Sequence, residues 1–186
     1  MSAYKFFAGS ITILIFSLVL MSCAGSSSVS QNNSANIASS SYPEWYNQNR
    51  SVIKNDDTYL AYASLVASDS SSALETAKSR AKSKLGSNLV NKLESIRNEA
   101  LIEFGSDSGL DQSSFIIALS KSDRTISSVA ESSRSKVQKA PNDEAYYGFA
   151  EATVNREKLI NRLDKKFSAF GKAWNAMKSS DNFADF

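Results

Sequence analysis

The residue with the widest chemical range is Cys23, the only cysteine among 186 residues. A thiol can act as a nucleophile, bind a soft metal, pair into a disulfide or carry a thioether-linked group. The sequence narrows these choices. Histidine is absent altogether, which excludes every His-based catalytic arrangement and the zinc or copper sites built on imidazole and thiolate. A disulfide needs a second cysteine. Leu20-Met21-Ser22 places a small residue directly before the thiol and a leucine three positions ahead. Beyond Cys23, chemistry falls to carboxylates, hydroxyls, Lys and Tyr. Asp56-Asp57 and Asp143-Glu144 are adjacent acids. Catalytic carboxylates must oppose each other across a substrate, so side-by-side pairs read as solvated turn residues. Asp107-Ser108-Gly109-Leu110-Asp111 lacks the alternating ligands and closing Glu of a calcium loop and reads as a connection. The expectation is a chain with no catalytic residue, no cofactor and no metal.

The segment before Cys23 reads as an export leader. Lys5 and the terminal amine supply a thin positive region, and Phe6 to Met21 is nearly all apolar. That core is short for a membrane span and ends in small residues rather than a positive flank. Leu20-Met21-Ser22-Cys23-Ala24-Gly25 resembles the lipobox of bacterial lipoprotein precursors. The resemblance implies a signal peptide over residues 1–22, cleavage between Ser22 and Cys23, and a diacylglyceryl group on Cys23. Two acyl chains hold a protein stably where one holds it only marginally. Ala24 stands where lipoprotein sorting rules read an Asp. The same resemblance therefore implies an outer membrane, on its periplasmic face or at the cell surface.

Composition bounds the rest. The chain has 21 basic and 19 acidic residues, with Lys5 in the leader. No strong basic field exists for nucleic acid. Residues 23–186 suffice for one domain with its own core. After Cys23, residues 24–42 are rich in Ser, Asn and Ala and have almost nothing to bury, so they read as a disordered tether. A flexible linker of that length reaches roughly 25 Å on average, and about 60 Å when stretched.

The domain is expected over residues 43–178, opening at Pro43-Glu44-Trp45-Tyr46. Thr58 to Ala67 is rich in strand formers. Asp69-Ser70-Ser71-Ser72 offers several helix caps, and Ser72 with Glu75 forms a capping box. Apolar residues then recur at 73, 77, 81, 85, 89, 93, 96, 100 and 104. That spacing predicts one long helix, weakened at Gly86. The alanines at 73, 77 and 81 let its first turns lie close against a sheet. Ser113 to Glu131 predicts a second helix, carrying Phe115, Ile116, Leu119, Ile126 and Val129. Ser133–Lys139 and Ala145–Val154, joined by Pro141-Asn142-Asp143-Glu144, predict an antiparallel hairpin. Asn155 caps a final helix with the stripe Ile160, Leu163, Phe167, Phe170, Trp174 and Met177. This stripe can dock on its own sheet or on a second copy. Residues 179–186 are expected to fray. The fold class is α+β: a small, mostly antiparallel three-stranded sheet with a long helix and further helices on one face.

Pro43-x-Trp45, the Tyr/Ala-rich strand, the spaced Ala73, Ala77, Ala81 and Leu85, and the Tyr146-Tyr147 strand before a closing helix resemble the LPP-twenty lipoprotein family. The family's first strand usually carries glycines where this chain has Ala61 and Ala63. The resemblance implies an outer-membrane or surface lipoprotein and brings no catalytic residues with it.

Two surfaces merit attention. Lys158, Arg162, Lys165 and Lys166 make one side of the final helix basic, which reads as a solvated face or a contact with anionic lipid. Tyr146 and Tyr147 point to opposite sheet faces. If the outer face is bare, Trp45, Tyr146, Tyr147 and Phe149 form a partner surface. The expected function is a lipid-anchored, non-enzymatic envelope module, structural or protein-binding. Its partners would be the membrane, an unidentified envelope protein and a second copy of the chain, with no nucleic acid. The alternative is an accessory lipoprotein that assists flagellar assembly or activates a peptidoglycan synthase.

Overall fold

A computed structural model describes residues 42–48, 52–141 and 144–186. The residues read as leader and tether up to position 41, Ser22 and Cys23 among them, lie outside the described residues, as does Asp143. Among the described residues, no helix is long and apolar enough to cross a membrane.

The fold is α+β. Its strands are Ile53–Asn55 (β1), Thr58–Ala67 (β2), Glu131–Lys139 (β3) and Tyr146–Asn155 (β4). They form one sheet in the order β1-β2-β4-β3, with every neighbouring pair antiparallel. The expected three-stranded sheet thus gains a fourth strand. β1 is three residues of mixed polarity, too short for a periodicity to show. It forms because Asp56-Asp57 turn the chain back onto β2, with Asp56 at a positive φ of 48°. Asp56 and Asp57 are exposed turn residues, as their adjacency implied.

Ser70–Phe104 (α1) lies across the sheet. Its buried stripe is Ala73, Ala77, Ala81, Leu85, Leu89, Leu93, Ile96 and Ala100, at the helical spacing read from the sequence. Phe104, the expected last member, is 39 % exposed, so the stripe stops one turn early. The cap is Asp69, whose Oδ1 accepts the Ser72 backbone N–H at 2.8 Å. Ser72 lies inside the helix and Glu75 pairs with Lys78, so no capping box forms. α1 runs unbroken through Gly86. This glycine is a contact residue rather than only a weak point. A Cβ there would stand 2.5 Å from the Ser127 Oγ and 2.6 Å from the Asp123 carbonyl oxygen.

The segment read as one helix over residues 113–131 is two: Ser113–Ser120 (α2) and Asp123–Val129 (α3). Between them the Ser122 hydroxyl donates to the Ala118 carbonyl at 3.0 Å, and its N–H turns to Leu119. Such back-bonding competes with the helical ladder and bends the chain. The expected hairpin is present, with Lys139 opposite Tyr146.

The C-terminal region departs most from expectation. Asn155 does cap its helix, accepting the Lys158 N–H at 3.1 Å. That helix, Arg156–Lys166 (α4), then turns through a 3-10 segment at Ser168–Phe170 into Gly171–Ser179 (α5). The Phe170 N–H bonds back to the Phe167 carbonyl, and the Ser168 hydroxyl takes the Lys165 carbonyl. A stripe with alternating steps of three and four cannot distinguish a straight helix from one folded at an aromatic corner. Here the corner is Phe167, tilted against Trp174 at 4.8 Å and meeting Phe115 edge-on at 5.6 Å. Ile160 and Phe170 are only partly buried. The stripe docks within its own domain.

Residues 179–186 do not fray. Asp181–Ala184 form a short helix (α6), with Ser180, Phe183 and Phe186 buried. Phe183 meets Trp174 edge-on at 5.5 Å, and Phe186 meets Tyr59 at 5.5 Å. Burying a phenylalanine contributes about 1.5–3 kcal/mol, which offsets the ordering of so short a segment.

Candidate functional site

Pairing register sorts β2 and β4 into two faces. Tyr59, Ala61, Ala63 and Leu65 stand opposite Val154, Ala152, Ala150 and Gly148, and this face meets α1. The opposite face carries Leu60, Tyr62, Ser64 and Val66 with Tyr147, Phe149, Glu151 and Thr153. Among the described residues no helix lies over it, yet it is not bare. Residues 42–46 cover it as a strap. The Tyr46 ring lies 5.2 Å from Phe149 and 5.9 Å from Tyr62, and Tyr42 lies 5.6 Å from Phe149 and 5.3 Å from Tyr46.

The expected partner surface is therefore rearranged. Phe149 is fully buried at the centre of this second, smaller core and is unavailable to a partner. Tyr147 lies on the same face, 6.5 Å from Phe149 and half-buried. Tyr146 is on the α1 side of the sheet, by strand alternation. Trp45 belongs to the strap and is half-buried. The structure thus brings Trp45, Tyr147 and Phe149 together and leaves Tyr146 out.

Beside the aromatics sits an ionic cluster that sequence reading missed. Glu151 is only 2 % exposed. Both its oxygens accept from Arg134, and the Ser133 hydroxyl donates to its Oε1. A β-bulge makes this possible. The β3–β4 register slips between Ser132 and Arg134, leaving Ser133 as the extra residue. A bulge bends the strand and re-aims side chains, here sending both Ser133 and Arg134 to one carboxylate. The Arg134 guanidinium also lies 5.4 Å from the Trp45 ring, joining strap to ion pair. The legible signal was Glu151 itself, because a carboxylate in an otherwise apolar central strand requires a buried partner.

Burial pushes the Glu151 carboxyl up, but hydrogen bonds from Arg134, Ser133 and Tyr62 outweigh it and hold it below its ordinary value. Tyr62 is raised, by burial and by its bond to Glu151. Tyr46 is also raised by burial, partly offset by its bond to Ser64. The paired carboxylate stabilises the fold above its unfolded value of about 4.5, and this contribution fades as pH falls through the lower folded value. Arg134→Met is expected to cost about 2–3 kcal/mol near neutral pH, because it leaves a buried carboxylate unpaired. The full cost of a wholly buried pair does not apply, since half of the Arg134 side chain is solvated. Melting curves from pH 7 to pH 3 check this: the variant should lose less than the parent on acidification. Equal losses would remove the ion pair from the account.

The basic side of α4 borders an open cleft of about 400 Å³, lined by Val129, Asn155, Glu157, Lys158, Asn161, Arg162 and Lys165. Lys158 is held by Glu131, and Lys166 donates to the Lys121 carbonyl. Among the described residues, no group of three His, Cys, Asp or Glu could hold a metal. Residues 107–111 form a 3-10 turn and its exit, with the Ser108 hydroxyl closing on the Gly105 carbonyl. Compared with known protein families, curated proteins and solved structures, the chain gives no match.

Proposed function

We propose that this chain is a lipid-anchored, non-enzymatic envelope lipoprotein whose domain is a protein-binding or structural module at the outer membrane. The observation that carries the reading is the lone Cys23 directly behind Leu20-Met21-Ser22. Diacylglyceryl on that sulfur would fix position, and the Ser/Asn/Ala-rich composition of residues 24–42 supports their reading as a tether. The binding element is the strap together with the sheet rim. Trp45, Tyr42, Tyr46 and Tyr147 are partly exposed over a rigid Phe149 base, and Arg134 is half-solvated beside them. Trp, Tyr and Arg are the residue types that concentrate binding energy at interfaces. Glu151 is spent on its ion pair, which leaves it no free role as an acid or base. The partner is an envelope protein or a second copy of the chain.

Metabolic palmitate labelling tests the anchor. The parent should take up label and sediment with membranes, while Cys23→Ala should lose the label and remain with its leader uncleaved. Label retained by Cys23→Ala sinks the reading. Crosslinking in the native envelope then tests the partner. A crosslink that maps to Trp45 or Tyr147 supports the strap as the binding element.

A further inference from the structure

The outer edge of the sheet carries an independent feature. β3 ends the strand order, so among the described residues no strand pairs with its far side. All residues from Glu131 to Val137 are exposed. The register fixes which backbone groups face outward. The Ala140 N–H donates to the Ala145 carbonyl at 2.8 Å, one position beyond Lys139 opposite Tyr146. Hydrogen-bonded and non-bonded pairs alternate along an antiparallel ladder. Gln138, Lys136 and Arg134 therefore turn their N–H and C=O toward β4, while Ser135 and Val137 turn theirs away from it.

Open edges are guarded against stray pairing by bulges, prolines or charge. The bulge of β3 lies between Ser132 and Arg134, before this stretch, and the strand has no proline. Charge is the remaining guard: Arg134, Lys136 and Lys139 stand against the single acid Glu131. That acid is held by Lys158, which together with Lys82 keeps its carboxyl below the ordinary value. Such a guard is selective. A second copy of β3 brings the same excess of positive charge, and like charges across a strand pair are destabilising. An acidic strand brings the opposite sign.

Side-chain alternation sharpens the match. Arg134 and Lys136 stand opposite Glu151 and Phe149, on the strap face of the sheet. Ser135 and Val137 stand opposite Ala150 and Gly148, on the α1 side. We propose that the β3 edge is a strand-addition site for an extended acidic segment of another protein, with acids beside Arg134 and Lys136 and apolar residues beside Ser135 and Val137. Main-chain bonds to Ser135 and Val137 supply affinity, and the alternation supplies specificity. This site goes beyond the strap contact and the anchor at Cys23, and either can fail without the other.

The full chain in detergent is titrated into a fluorescein-labelled peptide of alternating Glu and Val, read by anisotropy. Saturable binding is expected, weakening as salt is added. A peptide of alternating Lys and Val should bind at least tenfold more weakly. Val137→Pro removes an outward N–H that β4 does not use, at the kind of edge position where strands accept proline. It should weaken binding roughly tenfold, with circular dichroism checking its fold. Methylating the valine nitrogens of the acidic peptide blocks the same ladder without touching the protein, so the result stands even if Val137→Pro misfolds. Binding that survives this methylation overturns the proposal. So do equal binding by the folded Val137→Pro variant, equal binding of the two peptides, or absence of saturation. A dimer seen by sedimentation and dissolved by Val137→Pro also overturns it, by giving the edge to a second copy.

Discussion

Gly148→Ala is expected to destabilise the domain by about 3 kcal/mol, at the top of the range for overpacking. A Cβ at Gly148 would lie 2.0 Å from the Ala73 carbonyl oxygen, 2.4 Å from its carbon and 2.9 Å from the Leu74 nitrogen. All three are α1 backbone atoms, so no side chain can rotate away. The helix must lift from β4, and the layer of Ala77 and Ala81 against Ala61, Ala150 and Ala152 opens with it. Urea unfolding checks this through a lower midpoint at unchanged slope. Gly171→Ala is the control, because nothing stands within 4 Å of its Cβ and it begins a helix. That change should be neutral or slightly stabilising. If both glycines shift the midpoint alike, close approach of helix and sheet is not the cause.

Phe149→Ala should cost about 3–5 kcal/mol, the usual range for emptying a buried phenylalanine site, and should also free the strap. Phe149 is fully buried and lies against Tyr42, Tyr46 and Tyr147. Among the described residues, the backbone hydrogen bond of the strap outside helices and strands is internal, from the Tyr46 N–H to the Pro43 carbonyl. Ring contacts, the Arg134 guanidinium over Trp45 and the Tyr46 side-chain bond to Ser64 hold it to the sheet. Removing the central ring should expose Tyr42–Tyr46 to chymotrypsin under conditions where the parent resists. A variant that loses stability yet keeps the strap protected would show that Arg134, Tyr62 and Ser64 suffice to hold it. This prediction also bears on function, because partner crosslinks at Trp45 should weaken together with strap order.

Particular residues show how far the chain could be read before folding. Ala73 through Ala100 fell at helical spacing and are buried as the spacing demands. The small residues at 73, 77 and 81 implied a close helix–sheet contact, and Gly148 completes it from the other side. The 131–139 and 146–155 hairpin was legible from alternation and a Pro-Asn turn. The break at Ser122 was not, because a serine in a helical window looks the same whether its hydroxyl faces water or takes a backbone carbonyl. The corner at Phe167 was hidden for a related reason: it depends on Phe115 and Trp174, which arrive from other elements. Of the candidate surface, Trp45, Tyr146, Tyr147 and Phe149 were named from residue type and strand alternation, and Tyr146 falls on the α1 side. Their arrangement was inverted, with Phe149 beneath and the strap above.

The sequence by itself determined the α+β class, the long amphipathic helix and the hairpin. Each follows from local rules: periodicity, turn chemistry and the identity of neighbours along the chain. Only the tertiary structure decided that residues 42–46 cover the outer sheet face and that a bulge aims Ser133 and Arg134 at Glu151. The same holds for Phe183 and Phe186, buried against Trp174 and Tyr59. These contacts join residues far apart in the chain, and their energies depend on burial and partner geometry, which no local pattern records.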